Sequence, residues 1–133
     1  DRSYLFATNN ATVTAVPENS IKYIFRKIYV GQGKFIGMAM VPGLAKDKSN
    51  IDFINDRTFQ ALEIDVRSQT IKKLDVPPTT GYSCSLGRYG DQILLGLNTA
   101  GGIGYHLYDS KTGKVSQAPI VRTQGTPTSI VAF

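Results

Sequence analysis

The chain has 133 residues, a hydrophobic fraction of 41% and a formal net charge of +5. That profile excludes a disordered polyelectrolyte and allows one packed domain. No apolar run reaches the roughly 18 residues that span a membrane as a helix, and a single cysteine, Cys84, excludes an internal disulfide.

Thirteen Gly and six Pro imply many turns, while seven Tyr and six Phe among abundant Val, Ile and Thr favour strands. The chain starts at Asp1 without a charged-then-apolar leader, so a trimmed or mature product is expected. The basic residues are dispersed, with small groups at Lys22, Arg26, Lys27 and at Lys72, Lys73. Such groups on strands read first as a solvated face, and only weakly as contacts to an anion.

In chain order, "SYLFA" (3–7) and "ATVTAV" (11–16) read as late strands of a preceding unit. "IYVGQGKFIGMAMV" (28–41) then gives two strands around a Gly turn. A long connection, 42–58, leads to "LEIDVRSQTIKKLDV" (62–76), two strands around a second turn. The pattern returns. At an offset of 44 residues, Asp65 falls on Asp109, Arg67 on Lys111 and Ile71 on Val115. At an offset of 57, Gly33 falls on Gly90 and Ile36 on Ile93, which puts 13 extra residues in the 42–58 connection. The later unit reads as strands 82–88, 91–97, 103–109 and 114–121, with turns at "RYGD" and "DSKTG". "TPTSIVAF" (126–133) reads as the inner strand of a following or closing unit.

Four short strands repeating at this period are the signature of a β-propeller blade. The expected fold is therefore all-β: a propeller fragment of two blades, 21–76 and 82–121, flanked by partial blades at 1–20 and 126–133. Two blades do not close a ring, so further blades, from the same parent chain or another, are expected to cover the sheet edges.

The segments "YVGQGKFIGMAMV", "ALEIDVRSQTIKKLDVPPTTG" and "GYHLYDSKTGKVSQAPIVRTQGTPTSIVAF" resemble the C-terminal third of a group of Bacteroides-type exported propeller lipoproteins. The resemblance covers roughly residues 21–133 and rests on the D-x-[RK]-[ST] hairpins, the "VPP" before a Gly turn and the terminal "PTSIVAF". Many members are encoded beside TonB-dependent outer-membrane transporters, and most have no assigned function. The resemblance implies export to the outer membrane, cell surface or periplasm of a Gram-negative bacterium, and a lipid anchor at a Cys outside this sequence. It also implies capture of a ligand, such as a siderophore, for the transporter.

Candidate chemistry is sparse. His106, the only histidine, has no metal-ligand spacing around it and reads as structural. Asp47, Asp52 and Asp56 lack the calcium-loop pattern. Cys84 reads as a buried apolar residue rather than a nucleophile. The Gly-rich stretches "VGQGKFIG" and "TAGGIGYH" do not open helices, so they read as turns rather than phosphate loops, and "GKFIGMAMV" lacks the regular aromatics of an RNA-binding strand. No cofactor, metal, nucleic acid or enzymatic role is expected.

The propeller rim formed by loops 42–58, 76–82, 98–103 and 122–127 is the better place for binding. It carries Lys46, Lys48, Arg57, Thr79, Thr80, Tyr82, Asn98, Arg122 and Gln124. The 42–58 insertion is the strongest single candidate, because loops that exceed their repeat are often functional. The expected function is a non-catalytic binding module that takes a small, weakly favoured anionic ligand. A cell-surface adhesion or scaffold propeller contacting another protein is the alternative, and a propeller hydrolase with its catalytic groups in a missing part is a third.

Overall fold

The computed structural model describes residues 12–14, 23–81 and 84–131. The expected strand at 3–7, most of the 1–20 segment, Lys22, Tyr82 and the last two residues lie outside them. The described chain is all-β, in two sheets. The first sheet contains β1 (Thr12–Thr14), β2 (Tyr23–Gly31), β3 (Lys34–Met40), β4 (Phe59–Asp65) and β5 (Thr70–Lys73), in the order β1-β5-β4-β3-β2. The second contains β6 (Ser85–Tyr89), β7 (Gln92–Thr99), β8 (Gly102–Asp109) and β9 (Val121–Arg122), in chain order. β2 to β5 and β6 to β9 are antiparallel meanders, while β1 joins the edge of the first sheet parallel to β5. Residues 12–14 thus extend the first sheet instead of forming a separate one.

The two C-terminal hairpins are built alike. Asp65 Oδ1 accepts the N–H groups of Arg67 and Ser68 at 2.9 and 3.1 Å, and Asp109 Oδ1 accepts those of Lys111 and Thr112 at 2.8 and 3.1 Å. The aspartate side chain thereby fixes each turn. The left-handed residue of the turn is Gln69 in one copy and Gly113 in the other, again 44 positions apart.

The N-terminal hairpins correct the sequence alignment. Gly31 pairs with Lys34 across the turn Gln32–Gly33, and Tyr89 pairs with Gln92 across Gly90–Asp91. The equivalent offset is therefore 58, not 57, and the insertion is 14 residues (58 less 44). Both central residues are left-handed in the first turn (φ 54° and 79°), as a type I′ turn requires. In the second turn only the first residue, Gly90, is left-handed (φ 59°), as in type II′. The glycine occupies a different turn position in each copy, so matching glycine to glycine slips the register by one. A one-residue slip moves every side chain to the opposite face.

With the register corrected, the packing becomes simple. Each sheet has a face carrying positions 36, 38 and 40, or their equivalents 94, 96 and 98, and an opposite face. In the first sheet Ile36, Met38, Met40, Phe59 and Ala61 are buried against Ile93, Leu95, Leu97 and Tyr108 of the second. Phe25 and Phe59 meet edge-on at 5.0 Å within this layer. One face of the first sheet thus meets the non-equivalent face of the second, a head-to-tail stack. The opposite face of the first sheet carries its own cluster of Ile24, Ala39, Val41, Leu62, Ile64 and Ile71.

Two expected strands differ. Of 114–121, only Val115 bridges to Tyr108, and β9 begins at Val121. Ser116 explains the break: its N–H donates to Leu107 O at 2.9 Å, while its hydroxyl, not its carbonyl, accepts the Leu107 N–H at 2.9 Å. Pro119 then has no N–H to offer a ladder. Residues 126–131 form no ladder either. They run as a strap over the second sheet, where Ser85 Oγ donates to Pro127 O at 2.9 Å. Gly87 and Gly96 make the trough, since a Cβ at either would overlap Ile130 or Pro127.

Candidate functional site

The loops between the second and third strands, and between the sheets, gather at one end of the stack. The turns at 32–33, 66–69, 90–91 and 110–113 gather at the other. At the loop end, the 76–81 linker stitches the sheets together. Thr79 exchanges backbone hydrogen bonds with Phe59 at 2.8 and 3.2 Å, and its hydroxyl accepts the Asn98 N–H at 2.8 Å. The Thr80 N–H donates to Asn98 O at 3.1 Å, and Asn98 Nδ2 donates to Thr126 Oγ1 at 3.3 Å. Thr79, Thr80 and Asn98 are therefore brought together, with both threonines buried. Their hydrogen-bonding capacity serves the join between sheets. Lys46, Lys48 and Arg57 stand exposed on the insertion, and Arg122 and Gln124 stand exposed near β9 and the strap.

The insertion is tightly built. Asp47 Oδ1 accepts the Ser49 hydroxyl at 2.6 Å and the Ser49 and Asn50 N–H groups at 2.9 and 3.3 Å. Asp52 Oδ1 accepts the N–H groups of Ile54 and Asn55, both at 3.0 Å, and its Oδ2 accepts Asn55 Nδ2 at 2.8 Å. The Asn55 side chain first, then these backbone donors and the nearby Lys46 charge, hold the Asp52 carboxyl below its usual range. The three aspartates work as turn formers: Asp56 is buried, and its Oδ2 accepts the Asp52 N–H at 3.4 Å. The turn holds Phe53 and Ile54 out to solvent, with Ile54 78% exposed. Gly81 passes beneath this tip, where a Cβ would overlap the Phe53 carbonyl.

The turn end holds a cleft that sequence reasoning missed. Its volume is about 550 Å³, and its walls come from both sheets: Lys34, Glu63 and Lys72 on one side, Asp91, Lys111 and Gly113 on the other. Glu63 is buried, with Lys72 Nζ at 3.0 Å and Lys34 Nζ at 3.4 Å from the same oxygen, Oε1. Its other oxygen accepts the Tyr108 hydroxyl at 2.6 Å, a bond that crosses between the sheets. Burial pushes the Glu63 carboxyl up, but Tyr108, Lys72 and Lys34 outweigh it and hold the group below its ordinary range. Burial, then the hydrogen bond to Glu63 and the Glu63 charge, push the Tyr108 hydroxyl up. Across the cleft, Lys111 Nζ lies 2.6 Å from Asp91 Oδ2. Glu63 and Lys72 are adjacent on paired strands, but the register that turns them toward the second sheet is invisible without the topology.

The two remaining candidates lie in the interior. His106 is fully buried, with Nδ1 2.8 Å from Ser116 O, so Nδ1 carries the proton toward that carbonyl. Among the described residues its Nε2 has no hydrogen-bond partner. Cys84 is buried, and desolvation pushes its thiol up to about 11. A thiol so raised is protonated at neutral pH and is a poor nucleophile.

Among the described residues no helix is long and apolar enough to cross a membrane, and no three His, Cys, Asp or Glu side chains gather as a metal site. Comparison of the chain with protein-family models, curated proteins and solved structures finds no match.

Proposed function

We propose that the chain is part of a β-propeller that acts as a non-catalytic binding module. The observation that carries this reading is the head-to-tail stack. A heterologous contact that repeats makes a ring where its rotation closes, and a closed ring of four-stranded meanders is a propeller. Such a scaffold places every long loop at one end, where the 42–58 insertion presents Lys46, Lys48 and Arg57 on a turn-stiffened frame. A rigid loop loses little entropy on binding. The resemblance to exported propeller lipoproteins supports a setting at the Gram-negative cell surface or periplasm, with a siderophore-type ligand passed to a TonB-dependent transporter.

Calorimetric titration with ferric catecholate and hydroxamate siderophores tests the reading. Replacing Lys46, Lys48 and Arg57 together by Ala is expected to weaken binding by about tenfold or more, equivalent to at least 1.4 kcal/mol. Equal affinity in the triple variant, or no binding to either class, overturns it.

A second reading, a scaffold whose rim contacts another protein, is favoured by one observation. Phe53 and Ile54 are apolar, exposed and adjacent on the same loop. Loss of transporter association in a Phe53→Ser, Ile54→Ser variant with unchanged siderophore affinity decides for that reading.

A further inference from the structure

We propose that the turn-end cleft is a binding site for a small polyanion, either phosphorylated or polycarboxylate, held between Lys34 and Lys72 of the first sheet and Lys111 of the second. The site is separate from the loop end and does not depend on the function proposed there.

Charge count is the first argument. The cleft is lined by three lysines and two acids, and both acids are already engaged. Glu63 has one oxygen shared by two ammonium groups and the other taken by Tyr108. One buried carboxylate thus fixes two cations side by side, and a lysine ammonium offers three donors. Lys34 and Lys72 each give one to Glu63 and Lys111 gives one to Asp91, which leaves donors for a ligand at a place where net positive charge remains.

Preorganisation is the second argument. Glu63 is buried and anchored across the sheet interface, so Lys34 and Lys72 converge on a fixed point. Lys111 approaches from the other sheet on the turn held by Asp109, with Asp91 at its side. The cleft volume of about 550 Å³ lies in the range of small-molecule sites. Gly113 borders the space, and a Cβ there would stand 4.0 Å from Glu63 Oε2. An anion that bridges the lysines of both sheets gains contacts that neither sheet offers alone.

The test is calorimetric titration at low ionic strength with pyrophosphate, citrate and glucose, alongside amide NMR shifts. One equivalent of pyrophosphate or citrate is expected to bind saturably, shifting Gly113, Lys111 and Lys72, while glucose does not bind. Binding of only one anion identifies the phosphate or the carboxylate class, and binding of both supports the shared chemistry. Lys111→Ala, at a largely exposed side chain, and Lys72→Met are each expected to weaken binding about tenfold. Lys46→Ala with Lys48→Ala, at the far end, is expected to leave it unchanged. A purely structural ion-pair cluster gives lower stability in Lys72→Met and no saturable anion binding. That result overturns the proposal, as does equal weakening by the Lys46 and Lys48 changes, which would mark general charge attraction.

Discussion

The two sheets share one plan but put opposite faces of their equivalent strands into the contact between them. At equivalent positions the first sheet has Ile36 and Met38 where the second has Leu94 and Gly96. On the other face the first has Gly37 and Ala39 where the second has Leu95 and Leu97. The contact between the sheets therefore takes Ile36 and Met38 from one and Leu95 and Leu97 from the other, while Leu62, Ile64 and Ile71 keep bulk on the far face of the first. In the second sheet the small residues lie where a strap of chain, not another sheet, passes over. A repeated backbone tolerates this because a sheet face needs only complementary volume opposite it. The same plan serves as donor face in one copy and acceptor face in the next.

The largest effect expected from breaking this comparison is at Met38. Met38→Ala removes fully buried volume from the contact between sheets, and denaturant unfolding should show a loss of about 2–5 kcal/mol. At the equivalent position the opposite change, Gly96→Ala, inserts a Cβ against Pro127. It should destabilise by roughly 1–3 kcal/mol through overpacking, and hydrogen exchange should rise in 126–131 while the sheet interface stays protected.

The paired turns give a smaller contrast. Gln69 and Gly113 occupy the same left-handed position, at φ 58° and 69°. Gly113→Ala should lose about 1–2 kcal/mol, whereas Gln69→Gly should gain up to about 1 kcal/mol, measured by thermal unfolding.

Acid should weaken the join between sheets gradually. The native Glu63 carboxyl lies below its ordinary value of 4.5. Its contribution is therefore complete above that value and is lost as pH falls through the lowered native one. Stability of Glu63→Gln should accordingly fall less than wild type over that acid range.

The elements legible in the sequence were those with local causes. Asp65 and Asp109 announced their hairpins because an aspartate at a turn acts on its own backbone. The alternating runs of β3, β4, β7 and β8 announced strands for the same reason, and the offset of 44 followed from them. The offset of 57 failed because Gly33 and Gly90 serve different turn types, which only φ reveals. The fourth strand failed because the Ser116 hydroxyl took a ladder position that composition does not show. Of the loop-end candidates, Thr79 and Thr80 turned out to join the sheets. The lysine cleft escaped notice because Lys34, Lys72 and Lys111 are distant in sequence and converge only through the stacking.

The stack itself is tested most directly by the carboxyl titration of Glu63, followed by carbon-13 NMR in wild type and in Tyr108→Phe. Tyr108 reaches Glu63 only if the face of the first sheet that carries Met38 lies against the face of the second that carries Leu95. A wild-type carboxyl titrating below its ordinary value, and rising when the Tyr108 hydroxyl is removed, is the predicted result. A Glu63 carboxyl that titrates at its ordinary value and ignores the Tyr108 change would contradict the head-to-tail arrangement.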